Sequence, residues 1–363
     1  MQPRPISNYF RRLKMPMPRS LNSRRKLKIL TIFGLGTLSF LILVLCICLI
    51  DTNNAKLTAA HLRKDSGKLI FVQAVFRHGD RTPGHGYPND PYKDGTAYAE
   101  GWSALTKEGK QRLLSMGRFL RKRYSDFIPD IYFAKDIYTL SSDADRCIMS
   151  GQSLLAGLYP PSEIQIIEPE LGWQPVPVHT VPRDLDNVVA AKSSCKLYEA
   201  ELAKTYSSDE VQALNAQYLP LLTKVSSHAG LNVTTVAEAE GLYNTLELQK
   251  AYNLTLPAWA DENVMAELKK LATISLKLFT HTPYMTRIRG GPLLGKLHTR
   301  MLQHENGEMD PKLFLVSGHD LTLINLLRAL DMTERQWKPD FAAMLLIEQH
   351  ATPRGSVVKL GIQ

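Results

Sequence analysis

Residues 68–76 (KLIFVQAVF) form a near-continuous apolar run rich in β-branched and aromatic side chains, bounded by Gly67 and Gly79. A run of this kind is the pattern of a strand covered on both faces, as in a mostly parallel sheet. From Thr106 the period changes: Leu113, Met116, Leu120 and Tyr124 recur at three and four residues with Lys and Arg between them, which predicts an amphipathic helix capped by Thr106. Residues 136–141 repeat the strand pattern, 143–159 the helix pattern, and 164–167 (IQII) suggest a short third strand. Strands alternating with helices imply an α/β fold, with a mostly parallel central sheet flanked by helices. After the proline-rich 173–178 the strand signal lapses. Helical periodicity dominates around 195–223 and 261–279, so the segment from about 175 to 290 reads as a helical insertion, or cap. Strand character returns at 312–317, followed by an apolar helix at 321–330 and another strand at 341–348.

The charge distribution has a different logic at the N-terminus. Residues 1–28 carry nine Lys and Arg and no acid, which accounts for the whole formal charge of +9; the other 35 basic residues balance the 35 acidic ones. The body is therefore formally neutral, and a nucleic-acid partner loses its main support. Residues 29–50 then run for 22 positions without a charge, long enough to cross a hydrocarbon core of roughly 30 Å. No small-residue cleavage site follows closely, so an uncleaved transmembrane helix is expected rather than a signal peptide. The basic flank predicts a single-pass anchor with a cytosolic N-terminus and a lumenal or extracellular body. The expected organisation is a basic tail (1–28), an anchor (29–50), a stem (51–67) and a folded domain (68–363). Asn232 and Asn253 open glycosylation sequons on the predicted lumenal side. Of four cysteines, Cys46 and Cys48 fall in the anchor; Cys147 and Cys195 either pair or stay free.

The segment Phe76-Arg77-His78-Gly79-Asp80-Arg81-Thr82-Pro83 stands where the first buried strand ends, the place where open α/β sheets form ligand crevices. A neutral imidazole is a competent nucleophile, and a guanidinium is a planar fork for phosphate oxygens. Two Arg around one His can therefore hold a phosphoryl group and attack it. His319-Asp320 also follows a predicted strand and opens a helix. On those grounds alone Asp320 reads as a helix N-cap more readily than as a catalytic group. Arg146, by itself, reads as a partner in an intrahelical ion pair.

The order Arg-His-Gly-x-Arg-Thr-Pro resembles the signature of the histidine acid phosphatases, the prostatic and lysosomal type within the histidine phosphatase superfamily. The similarity runs over roughly residues 68–350: Asp143-Ala144-Asp145-Arg146 resembles the family's downstream arginine motif, residues 173–182 its proline-rich crossing, and Ser317-Gly318-His319-Asp320 its His-Asp pair. Residues 253–259 and Arg289-Gly290-Gly291 add to it. The resemblance implies a phosphomonoesterase working through a phosphohistidine on His78, with Arg77, Arg81, Arg146 and His319 on the phosphoryl oxygens and Asp320 as proton donor. It implies no metal and no cofactor, a phosphomonoester as partner and an acidic pH optimum. His85 reads as an exposed loop residue and His179 as structural.

The chain also departs from the family. Leu248 and Ala343 stand near the expected positions of a cysteine pair, the partner of Cys195 is expected in a C-terminal tail that this chain lacks, and the C-terminus looks shortened. Alternatives are thus a truncated, inactive member with a binding role, or, given the anchor, a Golgi phosphatase acting on xylose phosphate. The resemblance leaves room for a homodimer, but no pattern in the sequence specifies one.

Overall fold

The computed structural model describes residues 67–309, 311–332 and 338–363. The tail, the span at 29–50 and all of the stem but Gly67 lie outside the described residues. Among those described, no helix is long and apolar enough to cross a membrane.

Strand β1 (Lys68–Arg77) lies inside a six-stranded sheet of order β3-β2-β4-β1-β5-β6. It runs parallel to β4 (Leu313–Gly318), which in turn pairs parallel with β2 (Ile137–Ser142); β3 (His179–Val181) adds a short parallel edge. On its other side β1 pairs antiparallel with β5 (Met344–Thr352), and β5 with β6 (Gly355–Ile362). The parallel half matches expectation; the other half is an antiparallel hairpin of which only the first strand is visible in the sequence, shifted three to four residues along it. The β6 side chains explain this, since Val357, Val358, Leu360 and Ile362 are all exposed and offer no buried run. The short strand expected at 164–167 is corrected. Residues Glu163–Gln165 form one 3₁₀ turn, and Ile164, Ile166 and Ile167 face solvent without a neighbouring strand.

Both faces of β1 are covered, which is why it is apolar throughout. Val72, Ala74 and Phe76 pack against α1 (Lys107–Arg123) and α2 (Asp145–Leu158) through Leu113, Leu120, Leu154 and Leu158. Phe71 and Val75 face α8 (Gly291–Glu305) and α9 (Asp320–Ala329), where Leu293, Leu297, Leu323 and Leu326 close the second layer. Thr106 caps α1 by accepting from the amide of Gly109. Helices α1 and α2 touch backbone to backbone: a Cβ on Gly117 would strike the Leu154 carbonyl, and one on Gly157 the Leu114 carbonyl. With any other residue at either position the two helices would have to move apart.

The insertion is helical as expected, comprising α3 (Lys196–Tyr206), α4 (Asp209–Ala229), α5 (Val236–Ala251), α6 (Glu262–Leu278) and α7 (Pro283–Arg289) around a core of its own. Its expected start at 175 is too early, because His179–Val181 belong to the sheet as β3. Helix α5 lacks a sequence signal because it is buried on several sides, with Tyr243, Leu246, Thr245 and Gln249 all inaccessible. Cys147 is buried, Cys195 half-buried, and both are free thiols.

Candidate active site

The parallel register brings the two chemical motifs together. Arg77 at the end of β1 lies opposite Gly318 at the end of β4, and the His78 amide donates to the Gly318 carbonyl at 2.9 Å. The next residues, His78 on one strand and His319 on the other, face each other edge to face with ring centroids 5.6 Å apart. Gly79 is required for this placement: a Cβ there would lie 2.6 Å from the Gly109 carbonyl oxygen in the first turn of α1. Its amide donates to Ser150 Oγ at 3.1 Å, tying the motif to α2.

His78 is 3% exposed, and its Nδ1 sits 2.8 Å from the Gly79 carbonyl. A carbonyl only accepts, so Nδ1 carries the proton and Nε2 keeps its lone pair. Burial, with Arg77, Arg146 and His319 nearby, holds the imidazole pKa well below its ordinary 6.5. His319 is pushed down to about 3 by burial and by Arg146. Its Nε2 is 2.9 Å from Ser142 Oγ, and its Nδ1 is 3.5 Å from Arg146 Nη2. As Arg146 can only donate, Nδ1 is the unprotonated nitrogen and Nε2–H donates to Ser142.

Arg77 is nearly buried. Its Nη2 pairs with Asp320 Oδ2 at 3.0 Å, its Nη1 donates to the Pro339 carbonyl at 2.5 Å, and its guanidinium lies 4.0 Å from the Phe341 ring centroid. Asp320 opens α9 and accepts from the Leu321 amide at 2.8 Å. Burial alone would raise its pKa, but Arg77, that amide and Lys338 outweigh burial and hold it well below the ordinary carboxylate range. Arg81 and Arg146 complete the cluster, both lowered by burial and by mutual repulsion with the other guanidiniums, Arg81 to about 10. Asp320 favours the charge of both, and Glu247 that of Arg81. The Nε–H groups of Arg77, Arg81 and Arg146 are buried with no acceptor among the described residues.

All six residues singled out from the sequence thus meet at one end of the sheet. Arg146 is not the partner in an intrahelical ion pair, and the helix starting at Asp320 is capped through His319, whose amide donates to Thr322 Oγ1 at 2.9 Å. The sequence held no motif for Ser142, which meets His319, for Ser150, which ties Gly79 to α2, or for Pro339 and Phe341, which hold Arg77 and His78. A cleft of about 500 Å³ is lined in part by Arg81, Phe341, Leu248, Tyr252 and Asn253. Asn232 and Asn253 are exposed, and so is His85. His179 stacks on Tyr138 with centroids 4.6 Å apart, a packing role. Among the described residues no group of three or more His, Cys, Asp or Glu is arranged to hold a metal ion.

Residues 68–362 match the model of the histidine phosphatase superfamily, branch 2. The chain is 34% identical over 296 residues to lysosomal acid phosphatase of Xenopus laevis, covering 80% of this chain and 68% of that one. It is 33% identical over 307 residues to prostatic acid phosphatase of Rattus norvegicus, covering 82% and 80%. In structure it is similar to the Hafnia alvei phytase solved with myo-inositol hexakis sulphate, at a TM-score of 0.60 and 18% identity over 81% of this chain and 84% of that one, a likeness of fold alone. The chain belongs to the histidine phosphatase superfamily, branch 2, and its enzyme class is that of the acid phosphatases.

Proposed function

We propose that the chain hydrolyses phosphate monoesters through a phosphohistidine on His78. The observation that carries this reading is the cluster of three guanidiniums, each with a buried Nε–H lacking an acceptor among the described residues, beside an imidazole whose tautomer leaves Nε2 free. Phosphoryl transfer needs alignment and charge stabilisation above all, and this cluster supplies both. Nε2 of His78 attacks phosphorus, the N–P bond forms as the ester P–O bond breaks, and Asp320 gives its proton to the departing alkoxide. Water then attacks the phosphohistidine, returns a proton to Asp320 and releases inorganic phosphate with His78 restored. Arg77, Arg81 and Arg146 hold the phosphoryl oxygens throughout, and His319 joins them once its Nε2–H turns from Ser142 to the phosphate.

Asp320 is ionised beside Arg77 when the site is free. A phosphate dianion entering the cluster shares the charge of Arg77 and repels the carboxylate, so its proton affinity rises on binding. An acidic medium then loads the proton donor, while the depressed pKa of His78 keeps the nucleophile neutral. This is the physical basis of the acidic optimum. An inactive, binding-only role is disfavoured by the convergence of all six side chains.

The basic tail and apolar run at 29–50 support a single-pass anchor with this domain on the lumenal or extracellular side, in keeping with relatives named for the lysosome. On that side Asn232 and Asn253 become glycosylation acceptors. Ile164, Ile166, Ile167 and Trp173 are exposed and offer apolar side chains to a homodimer. A xylose phosphate is one candidate among sugar, nucleotide and protein monoesters. The test is p-nitrophenyl phosphate hydrolysis by the full chain from pH 4 to 8, beside His78→Ala. Acid activity that vanishes in the variant is expected; a folded but inactive wild type overturns the reading.

A further inference from the structure

The segment Lys338–Ala343, just before β5, holds the nucleophile strand at four points. Pro339 accepts from Arg77 Nη1 at 2.5 Å, the Ala343 carbonyl accepts from the Arg77 amide at 2.9 Å, and the Ala342 amide donates to the His78 carbonyl at 3.1 Å. Phe341 lies beneath both side chains, 4.0 Å from the Arg77 guanidinium and 5.7 Å from the His78 ring. The aim of Arg77 and His78 is therefore set by this strap as much as by β1.

The strap has its own anchor in the cap. Lys338, 6% exposed at its side chain, donates from Nζ to Asn244 Oδ1 at 2.7 Å and to Glu247 Oε2, and it lies 4.9 Å from the Tyr243 ring centroid. Tyr243 donates in turn to Glu247 Oε1 at 2.6 Å. All three partners stand on one side of α5, at spacings of one, three and four residues. Glu247 also lies within electrostatic reach of Arg77 and Arg81. A buried ammonium with an ionic partner and a second acceptor is costly to uncouple, because removing either charge strands the other.

The geometry points to Lys338 and Glu247 as a positioning pair that clamps the strap to cap helix α5 and so fixes Arg77 and His78 for attack. The inference rests on the reading of His78 as nucleophile. It predicts an effect on kcat more than on KM, since Arg81, Arg146 and His319 still bind the phosphoryl group when the clamp is broken, whereas the attack geometry is lost.

The test is steady-state hydrolysis of p-nitrophenyl phosphate by the full chain carrying Lys338→Met, Glu247→Gln, both, or Lys338→Arg, with His78→Ala alongside. Each single variant is expected to lose about ten-fold or more in kcat with KM within about two-fold, as for a reacting group displaced by less than an ångström. The double variant should be no worse than the poorer single one, and Lys338→Arg should recover most of the rate. Wild-type kcat in both single variants, or losses that multiply in the double, overturns the clamp. Should Lys338→Met fail to fold, Glu247→Gln and Lys338→Arg decide the question by the same criteria. Retained activity in His78→Ala overturns the nucleophile reading itself, a failure distinct from that of the clamp.

Discussion

The Nδ1 atom of His78 and the carbonyl of Gly79 are 2.8 Å apart, and this one contact decides which nitrogen of the imidazole can react. With the proton fixed on Nδ1, Nε2 is the nucleophile. We expect His78→Ala to lose at least about a thousand-fold in kcat, as for other nucleophile deletions. Rapid quenching at alkaline pH, where phosphohistidine survives, should trap a labelled adduct on the wild type and none on the variant.

Asp320 should matter most when the leaving group is poor. Asp320→Asn is expected to lower kcat about 10²- to 10⁴-fold for an alkyl phosphate, the usual range for a lost general acid. A p-nitrophenyl ester, whose leaving group departs without protonation, should suffer far less. Equal losses on both substrates would remove Asp320 from the proton-donor role.

Arg146 is one of the cations that depress His78. Removing it lets the protonated imidazole form more readily, so the pKa of His78 rises toward 6.5. In Arg146→Ala the acid limb of kcat/KM should therefore move to higher pH, beyond the loss from weaker phosphate binding. A profile that falls in height without moving would contradict the assignment.

The buried His319 carries a stability consequence. Its folded pKa of about 3 lies below the 6.5 of an unfolded chain, so protonation favours unfolding. Its contribution is complete above pH 6.5 and is lost progressively as pH falls toward about 3. Asp320 adds no slope between pH 6.5 and about 5, because it is ionised in both states there. Thermal melts of the ligand-free protein should show Tm falling over this window, with a shallower slope in His319→Ala.

Gly117 and Gly157 allow the closest helix contact beneath the site. Gly117→Ala should destabilise by about 1–3 kcal/mol, the range for overpacking, despite the better helix propensity of alanine. Denaturant titration would measure it; a stabilised variant would mean that α1 and α2 separate at little cost.

Legibility in the sequence followed burial symmetry and motif density. Strands β1, β2 and β4 are covered on both faces and read directly as apolar runs. Residues 164–167 have the same composition but no sheet partner, which composition alone does not encode. The six site residues stand in three compact motifs, so they were visible together. Ser142, Phe341 and Lys338 were not, because their roles come from distant pairings: Phe341 reaches His78 only through the antiparallel register of β5. Helix α5 gives no single apolar stripe because its buried residues, Leu242, Tyr243, Thr245, Leu246 and Gln249 among them, lie on several sides and include polar ones.

The antiparallel pairing of β5 with β1 also orders events in time. Arg77 and His78 emerge from the ribosome early, yet Asp320 lies more than 240 residues later, and the Pro339 carbonyl that receives Arg77 lies 262 residues beyond it. Contacts of such separation form slowly and late. A nascent chain halted before residue 338 has its nucleophile but neither the strap beneath it nor the strand β5 that pairs with β1. Catalytic competence therefore arrives only once the strap and β5 have been made, after the cap that separates them from β1.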